Sequence, residues 1–261
     1  MRVLITGASG QVGRALQDAV PPGAEVRALS RAQLDISDAA AVRRTIADFA
    51  PAVVINAAAY TAVDRAEGEA AAAEAINAAG TRHLAAAVLG IAGARLLQIS
   101  TDYVFDGSGT APHRPDDPTK PLSVYGHSKL AGEQAVLEVL GNRAVVLRTA
   151  WVYAAAGSNF VLTMLRLMRE RGAVRVVSDQ RGSPTAAASV ARALWRAAEV
   201  PAVHGVLHWT DAGAVSWYEF ARAIAAEAQA AGLLTTAPEV TPITTVEYPT
   251  AAPRPLNSVL D

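Results

Sequence analysis

The stretch "VYGHSKLAG", residues 124 to 132, sets Tyr125 and Lys129 four positions apart. On a helix such a pair shares one face with Cβ atoms roughly 5–6 Å apart, so an ammonium can sit beside a phenol. An unperturbed tyrosine titrates near about 10, and a neighbouring cation lowers that value, which makes Tyr125 a usable proton donor to a carbonyl oxygen. Lysine occurs at only two positions, Lys120 and Lys129, although the chain holds 23 lysines and arginines together. A position that keeps lysine against this bias needs a compact ammonium rather than a planar guanidinium fork. Lys120, between Thr119 and Pro121, reads as a loop cation.

A third element lies in "ISTDYVFDG", where an apolar run ends at Ser100 and Thr101. If that run is a strand of a parallel sheet, its carboxyl end borders the ligand crevice. Thr101 is then placed to hydrogen-bond a substrate carbonyl, with Ser100 beside a cofactor and Asp102 available for polar contacts to a substrate.

"LITGASGQVGRAL" spaces Gly7, Gly10 and Gly13 as G-x-x-G-x-x-G between a β-branched run and a helical pattern. Gly7 permits a tight turn, Gly10 lets the backbone approach a pyrophosphate, and Gly13 allows close helix–strand packing. The amides at Gln11 and Val12 then open a helix toward anionic oxygens. NAD sites usually place a carboxylate at the end of the second strand, whereas "RALSRAQLDIS" offers Ser30 and Arg31 there. That substitution favours NADPH, with NADH possible. Asp35 and Ile36 are placed to flank an adenine, and the small residues Ala57, Ala58 and Ala59, followed by Tyr60, to border the cofactor backbone.

Positioning these groups falls to a regular rhythm of short apolar runs and longer helical patterns. "RVLIT", "EVRAL", "AVVIN", "RLLQIS" and "AVVLRT" alternate with helices from Gln11, from Asp38, a long one ending near Leu89, and one over Ser123–Leu140. This predicts an α/β fold, a Rossmann-like doubly wound parallel sheet with strands buried on both faces. Residues 1–150 are expected to form the dinucleotide-binding domain. Residues 151–261 would form mainly a smaller α/β substrate lobe, with segments of 174–210 returning to the first domain. Helices are expected around Asn159–Glu170, Ala187–Ala198 and Trp217–Ala231, strands at "VRVVSD" and "GVLHW", and the Pro-rich ending as an ordered loop.

Hydrophobic residues make up 51% of 261, enough for a sizeable core. The net charge is -1 and the cations are scattered, which argues against nucleic acid or an anionic membrane as partner. No cysteine is present, so disulfides and thiolate chemistry are excluded and redox chemistry requires a borrowed cofactor. The N-terminus lacks a signal-peptide pattern, no membrane helix is expected, and the chain reads as cytoplasmic.

Together "TGASGQVG", "STDYVF" and "YGHSK" resemble the extended short-chain dehydrogenase/reductase superfamily. Within it, "NAAAYTAVDRAE", "VYGHSKLAGE", "RTAWVYA", "NFVLTML", "DQRGSPT" and "RPLNSVL" are similar to the dTDP-4-dehydrorhamnose reductase family over essentially the whole chain. The resemblance implies hydride transfer from NAD(P)H to C4 of a dTDP-linked 4-keto-6-deoxysugar, finishing dTDP-L-rhamnose for surface polysaccharides. It implies a catalytic set of Thr101, Tyr125 and Lys129, with Lys129 also holding the nicotinamide ribose, and places Tyr103, Trp151 and Asn159 near the sugar or nucleotide. Related dehydratases carry Asp then Glu after the threonine. Asp102 and Tyr103 stand here, which favours reduction over water elimination. Some family members dimerise through a magnesium site using a glutamate of the first helix, where this chain has Ala15, so no structural metal is expected. The family usually continues into a further helix beyond the residues matching "RPLNSVL", and the chain is expected as a monomer or homodimer. Reduction of another dTDP-ketosugar, or a regulatory role like that of the methionine adenosyltransferase β subunit, stand as alternatives.

Overall fold

The computed structural model describes residues 1–261. β1 (Arg2–Thr6) leads through the glycine turn into α1 (Gln11–Asp18), then β2 (Glu25–Leu29), α2 (Ala39–Phe49) and β3 (Val53–Asn56). Asp38 starts α2 by accepting the amides of Ala40 and Ala41, two of the donors a helix start leaves orphaned.

A short α3 (Val63–Ala66) precedes the long helix expected to end near Leu89, which runs without a break through α4 (Ala70–Glu74), a π-helical turn (Ala75–Gly80) and α5 (Thr81–Leu89). Asn77 explains the wide turn. Its side chain accepts from Tyr60 N at 2.8 Å and donates to Tyr60 O at 3.0 Å and Ser128 Oγ at 2.9 Å. Alanine-rich sequence favours a regular helix locally, and this buried tertiary anchoring overrides it.

β4 (Arg95–Thr101), α6 (Val124–Leu140) and β5 (Ala144–Thr149) follow, with Ser123 capping α6 by accepting from Gly126 N. The second half contains β6 (Val152–Tyr153), α7 (Phe160–Arg171), β7 (Ala173–Val177), β8 (Arg181–Gly182), β9 (Thr185–Ala186) and α8 (Ala187–Glu199). It ends with β10 (Gly205–His208), β11 (Val215–Ser216), α9 (Trp217–Ala230) and β12 (Glu239–Ile243).

The main sheet has the order β10-β5-β4-β3-β1-β2, parallel throughout. Strand alternation sends neighbouring residues to opposite cores. Leu4 packs with Val42, Ile46 and Leu84 on one face, while Val3 and Ile5 pack with Val190, Leu194 and Trp195 of α8 on the other. The chain leaves β1 for β2 on one side and returns to β3 on the other. The switch point, where ligands of such sheets bind, therefore lies between β1 and β3.

A separate apolar cluster unites Met164 and Met168 of α7, Val174 and Val176 of β7, and Ile224 of α9. β7 pairs there with β12, a strand not expected from the sequence. The Pro-rich ending is an ordered strap. Arg181 N donates to Leu256 O, Ser258 N to Arg181 O, and His113 N to Val259 O, so residues 254–260 cross the end of the sheet.

Candidate active site

Thr101 ends β4, and its hydroxyl caps the next turn by accepting from Tyr103 N at 3.2 Å. The same hydroxyl donates to Asp102 Oδ1 at 2.9 Å. Asp102 is 2% exposed, and burial pushes its carboxyl up to about 6, opposed by the hydroxyls of Ser258 and Thr101. Its carboxyl thus lies against Thr101 at the base of the site.

Tyr125, in the first turn of α6, faces the Thr101 side chain. Its ring meets Tyr103 edge-on, with centroids 5.6 Å apart. Gly126 makes this approach possible, because a Cβ there would overlap the Tyr103 carbonyl. Burial, with the Asp102 charge adding to it, pushes the Tyr125 phenol up to about 12. The expected lowering by Lys129 is therefore corrected. Lys129 shares the helical face, but its Nζ donates to Ile99 O at 2.6 Å beneath the strand end, and the low-dielectric surroundings dominate the phenol. Lys129 is itself 4% exposed, and desolvation brings it down to about 8, with the Glu133 charge one turn along opposing the fall.

A cleft opens at the switch point, lined by Gly7, Gly10, Arg31, Asp35, Ile36 and Ala57–Ala59, among others, with a volume of about 180 Å³. Its floor fits a dinucleotide cofactor. Gly7 has φ +68, and a Cβ there would overlap the Ala57 backbone. No side chain caps α1, which leaves its first-turn amides for an anion. Val12 packs its side chain onto the sheet, and a Cβ at Gly13 would overlap Gly7 and Ala8. Arg31 stands at the rim, its side chain 77% exposed, with Nε 3.5 Å from Asp35 Oδ2.

Other expected contacts lie elsewhere or are already engaged. Ser30 donates to Gln33 Oε1 at 2.8 Å and does not line the cleft. The Tyr60 hydroxyl donates to Glu69 at 2.6 Å. Ser100 is buried at the end of β4, and its hydroxyl has no hydrogen-bond partner. Asn159 caps α7 by accepting from Leu162 N and donates to Gln11 Oε1 at 3.0 Å, which ties the lobe to the glycine loop. Trp151 has φ +48, a conformation that bulky residues rarely adopt, and stacks on Trp217 with centroids 3.4 Å apart.

Three contributors escaped the sequence reading. Asn77 carries no one-dimensional signal beyond its place in an alanine-rich run. Trp217 follows a legible helix start, the Ser216/Glu219 capping box, but its partner Trp151 is distant in sequence. Ser258 reaches the site only because the strap folds back.

A parallel sheet carrying a glycine-turn cleft at its switch point, with threonine, tyrosine and lysine gathered at a neighbouring strand end, defines an extended short-chain dehydrogenase/reductase. The RmlD substrate binding domain family matches residues 1–261. A dTDP-4-dehydrorhamnose reductase of Streptomyces griseus is 49% identical over 100% of this chain and 85% of its own length. A probable dTDP-4,6-dihydroxy-2-methyloxan-3-one 4-ketoreductase of Streptomyces antibioticus is 44% identical over 100% and 86%. The crystal structure of dTDP-4-dehydrorhamnose reductase from Bacillus anthracis in complex with NADP superimposes with a TM-score of 0.94 at 38% identity, covering 100% of this chain and 90% of that one. The chain belongs to the dTDP-4-dehydrorhamnose reductase family.

Proposed function

We propose that the protein reduces the C4 ketone of dTDP-4-dehydro-L-rhamnose to dTDP-L-rhamnose with NADPH, and more weakly with NADH, as a monomer or homodimer. The observation that carries this reading is the gathering of Thr101, of Tyr125 edge-on to Tyr103, and of Lys129 on Ile99 O around the carboxyl end of β4. Residues 1–150, joined by α8 and β10, hold the cofactor, and the remainder of 151–261 forms the sugar-binding side.

A reduced nicotinamide, when bound in the cleft, supplies the hydride. Tyr125 gives its phenolic proton to the C4 oxygen. A phenol held near about 12 stays protonated until negative charge develops there, so the proton is present when needed. Lys129 would hold the nicotinamide ribose, and Thr101 orients the ketone. Tyr103 is neutral, because burial and the nearby Asp102 raise its phenol further. It offers no base for deprotonating C5, so reduction rather than elimination is expected. Trp151 walls the sugar side, and Asn159 holds the lobe against the cofactor loop.

The test mixes purified protein, dTDP-4-dehydro-L-rhamnose and NADPH or NADH and follows the absorbance of the reduced cofactor. No turnover with either nicotinamide would sink the reading. The likeness to the Streptomyces antibioticus ketoreductase supports a second substrate arm, a dTDP-linked 4,6-dihydroxy-2-methyloxan-3-one, a ketosugar with one ring hydroxyl fewer. Faster turnover of that sugar would replace the rhamnose precursor as the substrate.

A further inference from the structure

Thr101 has one hydroxyl hydrogen, and it lies on Asp102 Oδ1 at 2.9 Å. In this arrangement Thr101 turns only lone pairs outward. A ketone oxygen is itself an acceptor and gains nothing from them. The threonine can orient a ketone only if its hydrogen is released from Asp102.

The surroundings of Asp102 are built for that release. Its carboxyl is 2% exposed, forms no ion pair, and its Oδ2 has no hydrogen-bond partner. An unpaired carboxylate in such a place is costly, whereas the neutral acid is tolerated. Thr101 and Tyr103 face it from its own segment, Tyr125 from α6 and Ser258 from the strap. The Arg254–Asp64 pair bears on Tyr103, and no cation is among the groups that hold Asp102. Ser258 directs its hydroxyl hydrogen to Arg181 O at 3.2 Å and leaves Oδ2 unbonded, so the anion gains support from it only when that hydroxyl swings away.

We propose that Asp102 is a positioning residue for the reduction: as a neutral acid it donates to Thr101 and turns the threonine hydrogen onto the ketone oxygen of the bound sugar. This rests on the reductive reading given above. Thr101 Oγ1 can accept two bonds. With Tyr103 N–H on one lone pair and the Asp102 O–H on the other, Thr101 offers Tyr125 no acceptor, and the phenol O–H is left for the ketone. Two donors then converge on the oxygen where negative charge develops. The proton that ends on the new hydroxyl comes from Tyr125. Asp102 keeps its own, and its bond to Thr101 strengthens as the oxygen becomes more negative. Ionisation of Asp102 reverses the bond and removes one donor.

The test is the pH profile of kcat/KM at saturating NADPH, which reports groups of the enzyme before the sugar binds. The wild type should lose activity as pH rises through the Asp102 step near about 6, tenfold per pH unit, ahead of the separate Lys129 step near about 8. Asp102→Asn cannot ionise, so the lower step should vanish while the upper one stays. Ser258→Ala, a milder change, removes a hydroxyl able to swing onto the anion and should move the lower step to higher pH. Infrared spectroscopy of the protein without substrate should show a carboxylic-acid carbonyl band that disappears between about pH 5 and about pH 8 and is missing in Asp102→Asn. A lower step that survives in Asp102→Asn, or no titrating acid band in the wild type, overturns the proposal. Absence of turnover on any ketosugar would sink the reductive reading instead, and the infrared band would still report the state of Asp102.

Discussion

Arg148 and Glu133 form a bidentate ion pair between β5 and α6, with Nη2–Oε2 at 2.7 Å and Nε–Oε1 at 3.0 Å and side chains only 5% and 2% exposed. It lies one helical turn beyond Lys129 and fixes the face of α6 that carries the lysine. Arg148 also donates to Pro115 O and lies over the Phe105 ring, so the pair anchors the loop before α6 as well. Removing one partner leaves an uncompensated buried charge. Glu133→Ala should therefore cost about 3–5 kcal/mol of stability, and replacing both residues by apolar ones should recover much of that loss. Denaturant unfolding of the two single variants and the double variant measures the coupling.

Tyr125→Phe keeps the ring and its edge contact with Tyr103 but removes the transferable proton. Turnover should fall by roughly 10²–10⁴-fold, the usual contribution of a positioned acid. NADPH affinity, followed by fluorescence titration, should stay the same, because the phenol lies at the sugar end.

Lys129 should impose an alkaline limit. Its ammonium loses its proton as pH rises through about 8 rather than 10.5, so kcat/KM should decline above about 8. Between those two values the native protein binds fewer protons than the unfolded chain, and this group adds stability as pH rises through the window. Lys129→Arg, charged throughout, should lose the alkaline decline while lowering kcat, since a planar fork does not reproduce the bond to Ile99 O.

Arg31→Ala should weaken NADPH by roughly tenfold, the scale of one hydrogen bond to a charged group, and leave NADH nearly unchanged. Initial rates over a range of each cofactor measure both values. Equal loss with the two cofactors would make Arg31 a solvated cation paired with Asp35.

The alternation of apolar runs and helical patterns made the parallel sheet legible, because fully buried strands such as Val53–Asn56 can hardly be anything else. Tyr125, Lys129 and Thr101 were legible as a set for a similar reason, since a helical face and a strand end are local geometry. What sequence could not show depends on contacts across distance. The widening of the helix to a π-helical turn before α5 needs Asn77 to find Tyr60 and Ser128. β12 contains Pro242 and is a strand only because β7 lies beside it. The charge state of Tyr125 is the sharpest case, for four-residue spacing placed Lys129 beside it while burial, invisible in one dimension, decides its proton affinity.

The Trp151–Trp217 stack has an optical consequence. One indole follows the last residues of β5 and the other begins α9, so the pair spans the seam between the sheet and the lobe. Parallel indoles in face contact share their electronic transitions, and their near-ultraviolet circular dichroism and emission depend on the spacing and tilt of the two rings. The protein thus carries its own displacement gauge at this seam, and it can be read without any added label.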